Sequence, residues 1–409
     1  MNREPKGTRN IGGAEAEAIE TIRGKLLSFL ACHGYTSFSP TGLQGAEDVW
    51  KNLPPSVAKS AIPVMSPWGE SCVLSRDNTL SAVSYLAAHF DRSELPLRIS
   101  YASRIYSVPQ LSKDSIEDNQ IGAELFGAPA KSADAEIATL LFDMLAHLGI
   151  DSPYIVFGDV SVIASILGKL PSEISAQIYS ALEKRSFVEY DNIIAQNKNK
   201  IDNSILPFLE KLTELRGGSE ILTEARELFG DNEVFEYLSS LSSVLSFLGF
   251  SDCVRFDLSL VKDLGYYNGV IFNVYTHKGA YLGSGGRYNP DFIREHLSCE
   301  AVGFGLSLKK LAEEATVEPS RPSVCIFAGQ ATLEDVMSVS RQVSRPQVIF
   351  WQACDDSLDA TINKAISLGF KDFIDVENGR AYDLVNKTEL KISDYIALSP
   401  SSCKAKEKI

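Results

Sequence analysis

The sequence predicts an α+β protein: a mainly antiparallel sheet core with a helical insertion, followed by a small C-terminal α/β domain. Three observations predict it. Strand-like segments cluster without intervening helices at residues 97–127 and again at 253–307. Leucine-rich helical periods run one after another over about 160–250, with almost no strand signal. Beyond residue 319, strands and helices alternate one for one. Clustered strands favour antiparallel pairing, whereas strict alternation favours a layered α/β unit. At 409 residues the chain is too long for one ordinary domain. The proline-bearing "VEPSRPS" places the boundary between 1–318 and 319–409.

Taken in order, residues 14–33 form the first helix, because Ile19, Ile22, Leu26 and Leu30 share a face and Gly34 supplies the stop. A short strand, "CVLSR", leads into "DNTLSAVSYLAAHF", where Asp77 or Thr79 caps a helix facing Leu80, Val83 and Leu86 inward. "LRISYASRIYS" (97–107) and "QIGAELFG" (120–127) alternate as strands. Residues 134–148 carry an amphipathic helix through Ile137, Leu140, Leu141, Met144 and Leu148, closed by Gly149. "YIVFGD" follows as an apolar strand, and then the helical insertion begins. Strands resume at "CVRFDLSL" and continue through "YYNGVIFNVY" to "AVGFGLSLKKLAEEA", a strand running into a helix. The remainder reads "VCIFAG", "LEDVMSVSRQV", "QVIFWQA", "LDATINKAISLG", "DFIDV", strand and helix in turn.

Composition excludes several classes. Apolar content of 44% and charged content of 22% are those of a globular chain with a sizeable core. No apolar run is long enough for a bilayer, and the segment after "MNREPKGTRN" is no signal core, so neither membrane insertion nor export is expected. Seven cysteines (Cys32, Cys72, Cys253, Cys299, Cys325, Cys354, Cys403), scattered and never spaced CxxC, predict free thiols in a reducing cytoplasm. Five isolated histidines predict no metal site, and no cofactor motif occurs: neither GxGxxG after a strand nor GxxxxGK[ST] is present. A net charge of −14 argues against a broad nucleic-acid surface.

The candidate pocket comes from alternation. In "QIGAELFG", Gln120, Gly122 and Glu124 share one face, either a solvent face or a wall suited to an amino group. In "YYNGVIFNVY", Tyr267, Gly269, Ile271, Asn273 and Tyr275 share one face, so Tyr266 and Tyr267 point opposite ways. Gly283, Gly285 and Gly286 admit close approach of a ligand or backbone, or else a plain turn.

These segments resemble a known family. "EPKGTRNIGGAEAEAIETIR", "CVLSRDNTLSAVSYLA", "NQIGAELFG", "LSLVKDLGYYNGVIFNVY", "GSGGRYN" and "AVGFGLSLKKL" stand in the order of the class II histidyl-tRNA synthetase core, over roughly residues 4–314. "LTELRGGSEILTEARELF" looks like the insertion of that enzyme's non-catalytic paralogues, the regulatory subunits of ATP phosphoribosyltransferase. The resemblance implies histidine-binding positions. "LSRDNT" matches LRPEGT, which makes Asp77 and Thr79 contacts to the α-amino group; "NQIGAE" matches HQxGxE, which sets Gln120 and Glu124 beside it. "LGYYNG" matches LDYYTG, so Tyr266 and Tyr267 flank the imidazole, floored by Gly285 and Gly286.

The triphosphate side departs from the pattern. Ser107 stands for the motif 2 arginine, Lys262 for the arginine before the tyrosine pair, and Lys310 for the motif 3 arginine. Lysine lacks the planar fork that clamps phosphate. Each lost stabiliser of a transition state costs about 3 kcal/mol, a rate factor of order 10²–10³. The resemblance therefore implies no catalytic residue. It implies a regulator that activates the short catalytic subunit of ATP phosphoribosyltransferase in the first step of histidine biosynthesis and takes free histidine as effector. The assembly expected is a homodimer within a hetero-oligomer. An active histidyl-tRNA synthetase, or a histidine-binding regulator of another process, are the rival readings.

Overall fold

The computed structural model describes residues 4–52, 58–108, 115–230, 232–262, 267–290, 299–316, 323–343, 345–351 and 357–398. The chain divides into two compact units, Met1–Glu318 and Pro319–Ile409.

In the first unit the strands are β1 Thr36–Ser37, β2 Leu43–Gly45, β3 Pro63–Met65, β4 Ser71–Leu74, β5 Leu97–Tyr106 and β6 Glu117–Phe126. They continue as β7 Tyr154–Asp159, β8 Arg216–Gly217, β9 Val254–Asp257, β10 Tyr267–Tyr275, β11 Tyr281–Tyr288 and β12 Ala301–Ser307. The helices are α1 Gly13–Cys32, α2 Ala46–Asn52, α3 Asn78–His89 and α4 Ala130–His147. The insertion supplies α5 Val160–Leu167, α6 Ser172–Glu183, α7 Phe187–Asn197, α8 Leu206–Lys211, α9 Glu220–Phe229 and α10 Glu233–Phe247, before α11 Leu308–Glu314.

Nine strands form one sheet in the order β1-β5-β6-β12-β11-β10-β7-β9-β8. Pairing is antiparallel except for β1 with β5 and β7 with β9. The predicted sheet, insertion and first helix are therefore observed. Between residues 36 and 74 the sequence predicts only the short strand that begins at Cys72, observed as β4, and the segment folds as a separate small sheet, β2-β4-β3, with α2. Its strands are only three or four residues long, too short for a periodic signal.

One face of the large sheet carries the main core. Ile19, Ile22, Leu26 and Leu30 of α1 and Ile137, Leu141 and Met144 of α4 are buried with Ile121, Ala123, Leu125, Val302, Phe304 and Leu306 from the strands. Over the opposite face, Val49 of α2 and Leu80, Val83 and Leu86 of α3 pack with Ile99, Phe126, Tyr288 and Ala301. Both faces of β6 are thus covered. The solvent-face reading of Gln120, Gly122 and Glu124 fails for that reason.

The alternation predicted across 267–275 breaks at one point. Between the pairs Tyr267–Tyr288 and Ile271–Gly286, β10 advances four residues while β11 advances two, a bulge. It turns Gly269 toward the aliphatic stem of Arg287, where a Cβ would stand 3.0 Å from Cδ, and away from the face of Tyr267. Gly283, Gly285 and Gly286 lie inside β11, so the turn reading of these glycines is also overturned.

A buried ion pair joins α4 to the sheet, and the insertion bonds to its acid. Arg287, 5% exposed, donates from Nη2 to Asp134 of α4 at 2.5 Å and from Nη1 to Glu300 at 2.9 Å. Tyr237 of α10 donates its hydroxyl to the other oxygen of Asp134.

In the second unit, β13 Val324–Phe327, α12 Leu333–Gln342, β14 Gln347–Phe350, α13 Leu358–Ser367 and β15 Asp372–Asp375 alternate as predicted. The chain then adds β16 Arg380–Asp383, β17 Thr388–Lys391 and α14 Ile392–Leu398. The five-stranded sheet runs β14-β13-β15-β16-β17, parallel among the first three and antiparallel in the added hairpin. That hairpin was missed because β17 is exposed along its length and "TELK" carries no apolar alternation.

Removing Asp134 leaves a buried guanidinium whose remaining partners are the Ala130 carbonyl and the half-exposed Glu300. Asp134→Ala is expected to cost the first unit about 3–5 kcal/mol in chemical denaturation. A loss below about 1 kcal/mol, the scale of an exposed pair, would contradict this view of the ion pair.

Candidate functional site

A cavity of about 180 Å³ opens on the face of the large sheet beneath the start of α3. Its floor follows from strand register. Directly paired residues on antiparallel strands share a face, and one such row runs Ile99, Glu124, Gly303, Gly286, Ile271 across five strands. The next row runs Tyr101, Gly122, Gly305, Ser284, Asn273. Glycine thus recurs where side chains from neighbouring strands must lie flat. A Cβ on Gly303 would stand 1.8 Å from Glu124 Oε2, and one on Gly305 would stand 2.3 Å from Gln120 Nε2. At Gly122 it would stand 2.5 Å from the Tyr101 hydroxyl.

The centre is Glu124, 1% exposed. Oε1 accepts from Thr79 Oγ1 at 2.7 Å and from the Tyr101 hydroxyl at 3.1 Å, and Oε2 accepts from the Tyr288 hydroxyl at 2.9 Å. Among the described residues no lysine, arginine or histidine forms an ion pair with it. Burial pushes its carboxyl up to about 8; the hydroxyl donors pull the other way, and Asp77 adds to the rise. Asp77 caps α3, accepting from the Thr79 N–H at 2.7 Å, so the backbone turn that starts the helix also aims the Thr79 hydroxyl at Glu124. Gln120 is oriented by Asn78, whose Nδ2 donates to Oε1 at 3.2 Å while its Oδ1 accepts from Ser103 Oγ at 2.8 Å.

Asp77, Thr79, Gln120, Glu124, Tyr267, Gly285 and Gly286 therefore line one cavity. Tyr266 lies outside the described residues. The two glycines differ in what they leave open: the bare side of Gly286 meets Tyr267, whereas a Cβ on Gly285 would strike the Phe272 ring in the main core at 2.4 Å. Sequence reasoning missed Tyr101, Tyr288, Gly303 and Gly305 as parts of the site. A tyrosine paired opposite a strand glycine was the available signal, but it required the register.

The three positions that depart from the synthetase pattern do not line this cavity. The Ser107 N–H donates to Ile116 O at 2.9 Å, just past the end of β5. Arg104, three residues before it, points elsewhere and pairs with Glu117 at 3.5 Å. Lys262 Nζ donates to the carbonyls of Phe272 and Gly285 at 3.3 and 3.4 Å and lies 5.4 Å from the centre of the Tyr267 ring. Drawn out of water by the strands around it, its ammonium is lowered to about 7. Lys310 Nζ lies 4.7 Å from the centre of the Tyr281 ring, a cation–π contact.

Comparison with known proteins identifies the family. The family model for histidyl-tRNA synthetase matches residues 7–311. The protein named ATP phosphoribosyltransferase regulatory subunit of Moorella thermoacetica is 30% identical over 75% of this chain and 80% of its own length. Its namesake in Bacillus pumilus is 31% identical over 69% and 74%. This chain belongs to the histidyl-tRNA synthetase family, among the ATP phosphoribosyltransferase regulatory subunits.

Solved structures of the family carry the same fold. One, described as an ATP phosphoribosyltransferase regulatory subunit/histidyl-tRNA synthetase from Bacillus halodurans, superposes with a TM-score of 0.79 at 24% identity, covering 92% of this chain and 98% of that one. A histidyl-tRNA synthetase from Nostoc superposes with a TM-score of 0.78 at 13% identity, over 97% and 98%. The fold is thus shared at low sequence identity. Among the described residues no group of three or more His, Cys, Asp or Glu stands together as a metal site. None of the described helices is long and apolar enough to cross a membrane.

The folded state holds the Glu124 proton up to about pH 8, whereas a glutamate in the unfolded chain releases it near 4.3. Between those values the folded protein binds more protons, so this group makes stability fall as pH rises and adds no further loss above about 8. Glu124→Gln is expected to flatten the decline in Tm between pH 5 and pH 8. A variant with the same slope as the parent would show that Glu124 is not the group responsible.

Proposed function

We propose that this chain is the histidine-responsive regulatory subunit of an ATP phosphoribosyltransferase. It joins the short catalytic subunit that condenses ATP with phosphoribosyl pyrophosphate in the first step of histidine biosynthesis. It activates that subunit and passes feedback inhibition by free histidine to it. The observation that carries this reading is the buried acid of the cavity: Glu124 lies among hydroxyl donors with no cationic partner among the described residues, and Asp77 stands beside it. A desolvated carboxylate of this kind is completed by an ammonium ligand.

Histidine enters with its amino group toward Asp77, Thr79, Gln120 and Glu124. Its ring lies beside Tyr267, over Gly285 and Gly286. Synthetase chemistry is absent in this reading. Lys262 and Lys310 spend their charge on carbonyls and tyrosine rings, and Ser107 offers no charge, so no fork grips a triphosphate. The core of residues 1–318 carries the effector site, and the subunit works in the cytoplasm as a homodimer within the hetero-oligomer. A coupling of about 1–3 kcal/mol between effector site and partner suffices for regulation.

Phosphoribosyl-ATP formation by the short catalytic subunit is expected to rise on adding this chain and to become sensitive to histidine, while the chain alone gives no histidine-dependent ATP–pyrophosphate exchange. Unchanged activity and sensitivity would refute the assignment, and exchange by the purified chain would restore the synthetase reading. In calorimetry at pH 7, histidine is expected to displace about one proton, because Glu124 is mostly protonated before the ammonium arrives. Glu124→Ala is expected to lose the binding; retained affinity would remove Glu124 from the site, and binding by the parent without proton release would contradict its raised carboxyl.

A further inference from the structure

A free amino acid brings a carboxylate as well as an ammonium, and the residues carried over from the synthetase pattern answer only the second charge. Among the described residues that line the cavity, one side chain is a permanent cation, Arg76. It is half-buried and directly precedes Asp77. Its Nε donates to Ser60 Oγ at 2.9 Å, a neutral partner. No described residue accepts from its two terminal nitrogens, and no described carboxylate pairs with it. A guanidinium tethered at Nε presents its two Nη groups as a planar fork, the geometry that takes a carboxylate on two hydrogen bonds.

The backbone beneath it is held on three sides. The Arg76 N–H donates to Gln44 Oε1 at 3.1 Å, and Gln44 Nε2 donates to the Asp77 carbonyl at 2.7 Å and to Ser81 Oγ at 2.9 Å. Just before, Ser75 donates its N–H to the Gly42 carbonyl at 3.0 Å and accepts from the Tyr106 N–H at 2.8 Å. The side chain therefore swings from a fixed point at the cavity wall. Lys262, the nearest alternative, is already engaged with two carbonyls and a tyrosine ring and does not line the cavity.

We propose that Arg76 is the carboxylate anchor of this cavity, making the site selective for a zwitterionic α-amino acid over the corresponding decarboxylated amine. The proposal rests on the histidine reading above and adds the residue that sets its specificity.

The test is calorimetry on the full chain with two probes, histidine and histamine, which lacks the carboxylate. The parent protein is expected to prefer histidine. Arg76→Gln is expected to weaken histidine binding by roughly 10- to 100-fold, the range for one charged hydrogen-bonded contact, and to leave histamine binding unchanged. Arg76→Lys, which keeps the charge without the fork, is expected to fall between the two, and it carries the same comparison if Arg76→Gln does not fold. Histidine binding equal in parent and variants would overturn the role of Arg76 and leave the histidine reading standing. Equal losses for both probes would also overturn it, by marking Arg76 as merely structural. A parent that binds no histidine would overturn both readings together.

Discussion

The Glu124 carboxylate is the constraint around which the first unit is arranged. Three hydroxyls reach it from three directions: Thr79 from a helix start, Tyr101 from β5 and Tyr288 from β11. Each is neutral, so the shell orients the carboxyl without neutralising it. Burial of an uncompensated acid is unfavourable, and proteins tolerate such groups mainly where a ligand completes them. The cost is carried by the packing on both faces of the sheet, which buries long rows of aliphatic side chains on either side of β6.

Glycine makes that arrangement geometrically possible. In a sheet buried on both faces, neighbouring strands normally crowd their side chains together. Here Gly122, Gly303, Gly305 and Gly286 leave a bare patch in which Tyr101, Glu124, Gln120 and Tyr267 lie down against backbone. The strand that carries Gly286 also carries Arg287 on its other side, bonded to Asp134, and Asp134 accepts from Tyr237 of the insertion. Adjacent residues of one strand therefore face the cavity and the helical insertion in turn, and the two regions share a rigid element.

The synthetase framework persists with its cations reassigned. Lys262 serves as an internal donor to two carbonyls, and Lys310 covers a tyrosine ring. These are contacts a lysine makes well, since a compact ammonium needs neither planarity nor two parallel acceptors. The one guanidinium on the described cavity wall is Arg76.

Local pattern by itself determined most of the secondary structure: α1, α3, α4, the insertion helices and the long strands follow from apolar period and stop signals, because burial of one face enforces that period. It also determined that Gln120, Gly122 and Glu124 share a face, and, through ordered motifs, which residues to suspect. It left the short strands β2 and β3 and the polar hairpin β16–β17 unread, since none is long or apolar enough to carry a period. Register and burial belonged to the tertiary structure alone. Only pairing across β5, β6, β12 and β11 brings Tyr101 and Tyr288 onto one carboxylate and sets Gly303 beneath it. Only the bulge in β10 turns Gly269 away from the face of Tyr267, and only the packing of α2 and α3 over the sheet converts a plausible solvent face into an enclosed site. The reason is physical: alternation fixes which way a side chain points relative to its own strand, while its neighbours, and the water it loses, are set by strands far away in sequence.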